Sequence, residues 1–349
     1  MATTTQFNPN VALNARLLAM GVSKTVYALV TPETEAVKAE VFGDLGSAER
    51  NAYLEQFRDA WTAKQDRYHE EFFEVWHEWS KPVVELDRTL FPFFYPTAGA
   101  SEPLRHLIFA YAARIRLSGL TGCVNFFEGE YEGYKAMAEA AGCIVREWPR
   151  DKWETIAASM PRTEMFFISQ PSAIDGNVWP EFNEFISKMP HNTVVADMTY
   201  VGAVPSSRIV EKFNLNQPSI RNVVFSLSKP FGFYYDRIGG VFCREEDLGL
   251  FGNKWFKGLT GLRLGTTMMQ RHGVFYMPET YGSYQRAMTV RVSKETKIHL
   301  LEPSDVFMLA NGVTEFPNDL ADYLTRAGKV RLCLTPGLAE RIGTSGVIQ

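Results

Sequence analysis

Only four cysteines occur in 349 residues, Cys123, Cys143, Cys243 and Cys333, far apart in apolar surroundings and without the spacing of a metal site. That argues against a disulfide-stapled or zinc-clasped scaffold and predicts reduced core thiols and no metal. Long apolar runs are missing too: none approaches the roughly 20 residues that span a bilayer. The N-terminal stretch has no basic segment followed by an apolar core, because Arg16 interrupts its one hydrophobic patch, so a secretory signal is not expected. The expectation is a cytoplasmic protein with no membrane partner. Nor does any run of lysine or arginine offer nucleic acid a footprint, and the net charge of −4 predicts no DNA or RNA partner. Internal repeats and low-complexity linkers are absent.

What remains is an ordinary globular composition, 46% hydrophobic and 13% aromatic, long enough for a large core and one large domain with a smaller one appended. Residues 46 to 79 carry an amphipathic pattern (Tyr53, Phe57, Trp61, Tyr68, Phe72, Phe73, Trp76) that predicts a helix capped by Ser47 and ending before Pro82. An aromatic stripe of this kind buries against a core or a subunit interface. The run from Cys123 to Phe127, a helix ending at Gly142, and the apolar Cys143-Ile144-Val145 make a strand, helix, strand unit. Such units imply a parallel sheet wrapped by helices. Further strands are expected at Met165 to Ile168, Thr193 to Ala196, Asn222 to Phe225, Asp305 to Leu309 and Val330 to Leu334.

Two stretches carry chemistry. In the run Phe225 to Gly240, FSLSKPFGFYYDRIGG, Lys229 follows a strand, and Pro230 and Gly232 forbid an immediate helix, which predicts a lysine presented on a turn among aromatic walls. Lost hydration favours the neutral amine, the form that condenses with an aldehyde to give a Schiff base. Ser226, Ser228 and Arg237 beside it suit a phosphate. Upstream, Gly99-Ala100-Ser101 opens a helix with Leu104, Leu107, Ile108 and Tyr111 on one face. Exposed amides at a helix start, with the dipole behind them, cradle an anion.

The pattern Ser226-x-Ser228-Lys229 followed by Arg237-x-Gly239, eight positions after the lysine, resembles the cofactor-lysine motif of the fold-type I pyridoxal-phosphate (PLP) enzymes, the class I/II aminotransferase superfamily. The likeness covers about residues 90 to 335. It implies an α/β fold: a large domain with a mostly parallel seven-stranded sheet flanked by helices, plus a small α+β domain. Segment 1–90 is then an N-terminal helical segment shared with the small domain or a dimer interface, 91–250 the large PLP-binding domain, and 251–349 the rest of it with an abbreviated small domain. The resemblance further implies that Asp197, in Asp197-x-x-Tyr200, pairs with the ring nitrogen, that Tyr200 bonds the phenolic oxygen, and that Tyr131 stacks on the ring. Arg331 is similar to the arginine that clamps a substrate carboxylate, and a homodimer is expected. One departure stands out. Where the family loop reads N-P-x-N-P-T-G, this chain has Gln170 to Gly176, with Ala173 at the second asparagine; Gln170 or Asn177 takes over that contact, or it is lost. An aminotransferase acting on an amino acid and a keto acid is the default expectation. A β- or γ-elimination, replacement or cyclisation enzyme is the alternative, and a non-catalytic PLP-binding regulator a third. For an acidic group on the substrate side chain, the candidates are Arg263, Arg271, His272 and Arg291.

Overall fold

A computed structural model describes residues 9–42, 55, 67–256, 258–298, 300–313 and 319–344. Its centre is a seven-stranded sheet of β1 (Phe93–Ala98), β2 (Cys123–Phe127), β3 (Ile144–Trp148), β4 (Met165–Ser169), β5 (Thr193–Asp197), β6 (Ile220–Ser226) and β7 (Ile238–Cys243). The spatial order is β1-β7-β6-β5-β4-β2-β3, and β7 alone runs against the others. Strands covered on both faces read as unbroken apolar runs. That is the sequence of Met165-Phe166-Phe167-Ile168 and of Val194-Val195-Ala196, all at most 3% exposed.

The described part of the aromatic stripe is a helix, Arg67–Ser80, whose apolar face lies on this sheet. Trp76 stacks on Phe225 at 4.3 Å and Phe73 meets Phe242 edge-on at 4.9 Å, so the stripe is core; Ser47, Tyr53, Phe57 and Trp61 lie outside the described residues. A smaller antiparallel sheet contains β8 (Leu300–Pro303), β9 (Leu309–Val313), β10 (Thr325–Arg326) and β11 (Lys329–Cys333) in the order β8-β9-β11-β10. The segment around Ser23 attaches by bridging to Cys333. The strand expected at Asp305 to Leu309 is instead a tight buried turn between β8 and β9. Side chains satisfy its backbone: Gln285 Nε2 donates to the carbonyls of Ser304, Val306 and Leu309, and Asn177 Oδ1 accepts from the Asp305 amide. An apolar run is therefore buried without a ladder, which its hydrophobicity alone does not reveal.

All four cysteines are free. Among the described residues no helix is long and apolar enough to cross a membrane.

Candidate active site

In an open sheet of parallel strands, the crevice outside the carboxyl ends is where ligands bind. Here those ends deliver Ala98 from β1, Phe127 from β2, Ser169 from β4, Asp197 from β5 and Ser226 from β6. Because β7 runs the other way, its beginning reaches the same edge, and its register (Ala98 opposite Ile238, Ser226 opposite Gly239) sets Arg237 there. A cavity of about 610 Å³ opens at this edge, lined among others by Ser101, Tyr131, Asp197, Tyr200, Lys229 and Arg237. A second cavity of about 630 Å³, around His106 and Asp247, lies at the amino-terminal edge. It contains none of the site residues singled out by the sequence.

Lys229 sits in a single helical turn, Ser228–Phe231, closed by Gly232 at φ 72°, where the sequence predicts a plain turn. Pro230 is compatible with helix here because it falls in the first turn, where its missing N–H would have no acceptor. The Lys229 amine donates to the Val26 carbonyl at 2.5 Å, and burial brings it down from the ordinary 10.5 to about 8, with Arg331 and Arg237 pushing the same way and Cys333 opposing. A sizeable neutral fraction therefore exists near physiological pH, the state a nucleophilic amine requires.

The anion corner is assembled from both sides of the chain. The helix Ser101–Leu117 begins without a side-chain cap, and Ala100 and Ser101 line the cavity; the first N–H groups of a helix have no partner within it. Gly99 has φ 72°, and a Cβ there would lie 2.9 Å from Arg237 Nη2, so glycine gives the guanidinium its room. Arg237, itself at φ 52°, donates to the Ala98 carbonyl at 2.9 Å. Ser226 and Ser228 join through their hydroxyls at 3.0 Å. A phosphate fits this donor set.

Opposite stands Asp197, 5% exposed. It accepts from the Tyr134 hydroxyl at 2.8 Å, the Thr199 amide at 3.0 Å and the Thr199 hydroxyl at 2.5 Å. Burial raises its carboxyl above the usual range, against the pull of those three donors. A cation next to it would be stabilised strongly. Burial likewise pushes the Tyr200 phenol up to about 12, so it stays a donor. Tyr131 lines the cavity edge-on to Tyr134 at 5.4 Å, and its ring lies over Gly133, where any Cβ would strike it at 2.2 Å.

Two residues here carry little signal in the sequence. Tyr134 orients Asp197, and Glu130, 4% exposed, lies in the same layer. Glu130 accepts from the Ser169 hydroxyl at 2.6 Å and from the amides of Ser169 and Tyr131. Burial, with Asp197 adding to it, raises its carboxyl to about 7 despite those bonds. Their place beside Tyr131, at the carboxyl end of β2, is the one feature that could have found them. A carboxyl whose folded value lies above its unfolded one favours folding below the unfolded value and loses that contribution as pH rises through the folded one. Stability should therefore fall by on the order of 3 kcal/mol between about pH 4.5 and 7 on this account. Glu130→Gln should flatten that part of the profile, read as Tm against pH; a Gln variant with the same slope would remove Glu130 as its cause.

The loop after β4 corrects two expectations. Gln170 is fully buried with its amide bonded to both backbone groups of Trp179, and Asn177 Oδ1 is engaged by Asp305 and Asn311. Neither lines the cavity. Ala173 does, its amide donating to Ser169 Oγ and its carbonyl accepting from Arg331 Nη1. Arg331 is 4% exposed, and its Nε is buried without a partner. The other cations named for an acidic group stand elsewhere: Arg271 pairs with Glu40, Arg291 with Glu295 and the Met20 carbonyl, His272 rests on Tyr276, and Arg263 is exposed.

No family model and no curated protein sequence matches the chain. Solved structures do. An aspartate aminotransferase from Thermus thermophilus superposes with a TM-score of 0.64 over 97% of this chain and 95% of its own at 15% identity. YbdL from Escherichia coli, described with a methionine aminotransferase function, gives 0.64 over 97% of each chain at 14%. A PLP-bound C-S lyase from Staphylococcus hominis gives 0.65 over 100% of this chain and 97% of its own at 12%. The chain has the fold of the fold-type I PLP enzymes. The superpositions cover 97 to 100% of this chain, against the residues 90 to 335 over which the sequence likeness runs.

Proposed function

We propose that this protein is a PLP-dependent enzyme that acts on an amino acid by removing its Cα proton, with transfer of the amino group to a keto acid as its reaction. The observation that carries the reading is the shared cavity of Lys229 and Asp197, with a phosphate-sized donor set at one end. Bound there, the cofactor would supply an aldehyde for the lysine and an electron sink for the Cα carbanion. Arg237, Ser101, Ser226, Ser228 and the amides after Gly99 would hold its phosphate. Asp197 would face the ring nitrogen and keep it protonated, Tyr200 would donate to the phenolic oxygen, and Tyr131 would cover the ring. Lys229 is the base for the Cα proton, since its amine is already lowered towards neutrality. By analogy with the fold we also propose a homodimer.

Elimination is the second reading, and one observation favours it. With Ala173 at the asparagine position and Gln170 and Asn177 engaged elsewhere, Tyr200 would be left as the side-chain donor to the phenolic oxygen, and the ring would be less tightly anchored. A single turnover with a panel of amino acids and no acceptor separates the two: keto acid formed in amounts equal to the enzyme, without free ammonia, supports amino transfer. Released ammonia or a lost side-chain group supports elimination. The broader reading is tested by borohydride, which should fix PLP on Lys229; a colourless protein that takes up no PLP would end it.

Arg331 is the proposed carboxylate clamp, because a guanidinium matches both oxygens and a lysine matches one. Arg331→Lys should raise KM by about 10- to 100-fold, the size of a lost charge-assisted hydrogen bond, with PLP still bound. An unchanged KM removes Arg331 from the substrate site.

A further inference from the structure

Beside the cavity the small sheet ends in a hairpin, β10 and β11, turned at Ala327 and Gly328, both in the left-handed region with φ 44° and 76°. Arg326 pairs across it with Lys329. Alternation along a strand then puts Arg326, Lys329 and Arg331 on one face. Lys329 is neutralised, its amine 3.0 Å from Asp175, which Arg150 shares at 2.7 Å. The other two are less well served. Arg326 pairs at 2.5 Å with Glu132, whose side chain is 75% exposed while that of Arg326 is 14% exposed. The Nε atoms of both Arg326 and Arg331 are buried without a partner. Lys24 completes the cluster. It stands 4.1 Å over the Tyr323 ring and has no ion-pair partner among the described residues. Burial first, then Arg326, holds its amine below the ordinary value, and burial followed by Arg331 does the same to Arg326. The cluster lies next to the cavity without lining it: Lys24 and Glu132 are chain neighbours of the cavity-lining Thr25 and Tyr131, and Ala327 and Arg326 rest against Gly129, two residues before Tyr131.

Lys24, Arg326 and Arg331 repel one another, the solvent-exposed Glu132 is paired with Arg326 alone, and an added anion relieves the repulsion. A substrate α-carboxylate on Arg331 would satisfy one of them. An apolar side chain would leave Lys24 and Arg326 to share Glu132. We propose that the substrate amino acid carries a second anionic group on its side chain, a carboxylate or a phosphate, bound by Arg326 and Lys24. Glu132 is then the resident counter-ion that this group displaces into water. The proposal rests on the PLP reading and on Arg331 as the α-carboxylate clamp.

The test titrates PLP-loaded protein with analogues lacking the amino group and reads the absorbance of the bound cofactor. Succinate and glutarate should bind at least about tenfold more tightly than butyrate and valerate of the same lengths, the effect of one charge-assisted contact. Adding 3-phosphonopropionate separates a phosphate preference from a carboxylate one. In a Lys24→Met, Arg326→Gln double variant the ratio should collapse to about threefold or less. Glu132→Gln, a change on the surface that the fold tolerates, should tighten the dianions by removing their competitor. Equal affinity for dianions and monoanions in the parent protein overturns the proposal, as does a ratio that neither variant moves. A protein that gains no cofactor absorbance overturns the PLP reading and this proposal with it; one that binds PLP and ignores the second charge overturns this proposal alone.

Discussion

Lys229→Ala should lose turnover by about 10²- to 10⁴-fold from the missing proton transfer alone. It should also lose the cofactor on dialysis, because among the described residues that line the cavity no other lysine offers an amine. The geometry gives the reason for both. Among the described residues the amine has one hydrogen-bond acceptor, the Val26 carbonyl, and no carboxylate that would hold it protonated, and burial lowers it to about 8. Uptake of PLP should accordingly speed up as pH rises through about 8, since the neutral amine attacks and the ammonium does not. Added methylamine, by supplying a free base to the Ala variant, should restore part of the rate; a purely structural lysine would show no rescue. Turnover within tenfold of the parent in Lys229→Ala would assign the chemistry to another group.

Much of this was legible in the sequence because the sheet enforces it. Buried parallel strands must be apolar throughout, and the residues at and just past their carboxyl ends must be small or polar to meet a ligand, so Asp197, Ser226 and Gly99 announce themselves by position. The spacing of Lys229 and Arg237 was legible through the family resemblance, and the fold supplies its reason: an antiparallel β7 must turn back within a short loop to keep Ser226 opposite Gly239. The features that stayed hidden depend on contacts far apart in the chain. The carbonyl of Val26 has no side-chain signature, and no local pattern says that residue 26 lies against residue 229. Tyr134 sits at the start of a helix, where an aromatic reads as packing; its hydroxyl finds Asp197 only once β2 and β5 are in one sheet. Gln170 and Asn177 mislead from the opposite side. Their polarity suits a ligand, but the loop they occupy is buried, and buried backbone groups claim whatever side-chain amides are near. Lys24 and Arg326 come together only through the Ser23–Cys333 bridge and the hairpin.

For Asp197, function and stability should move in opposite directions. The carboxylate is buried and its pKa is raised, so in the cofactor-free protein its ionised form costs stability, and increasingly so as pH rises above the unfolded value. Asn has the same shape, can still meet the Thr199 and Tyr134 hydroxyls, and carries no charge to bury. Cofactor-free Asp197→Asn should therefore melt no lower than the parent at pH 8 and lose less stability as pH rises from the unfolded carboxyl value through the folded one. With PLP the order reverses. An amide cannot hold a proton on the ring nitrogen, and removing one preorganised electrostatic partner costs about 10²- to 10³-fold in rate. Tyr134→Phe removes one of three donors to the carboxylate and should cost far less, about the worth of a single hydrogen bond. Two results would sink the assignment. Near-normal Cα-proton exchange in Asp197→Asn would show that the charge is not used, and a cofactor-free Asn variant that melts well below the parent would make Asp197 a structural residue first.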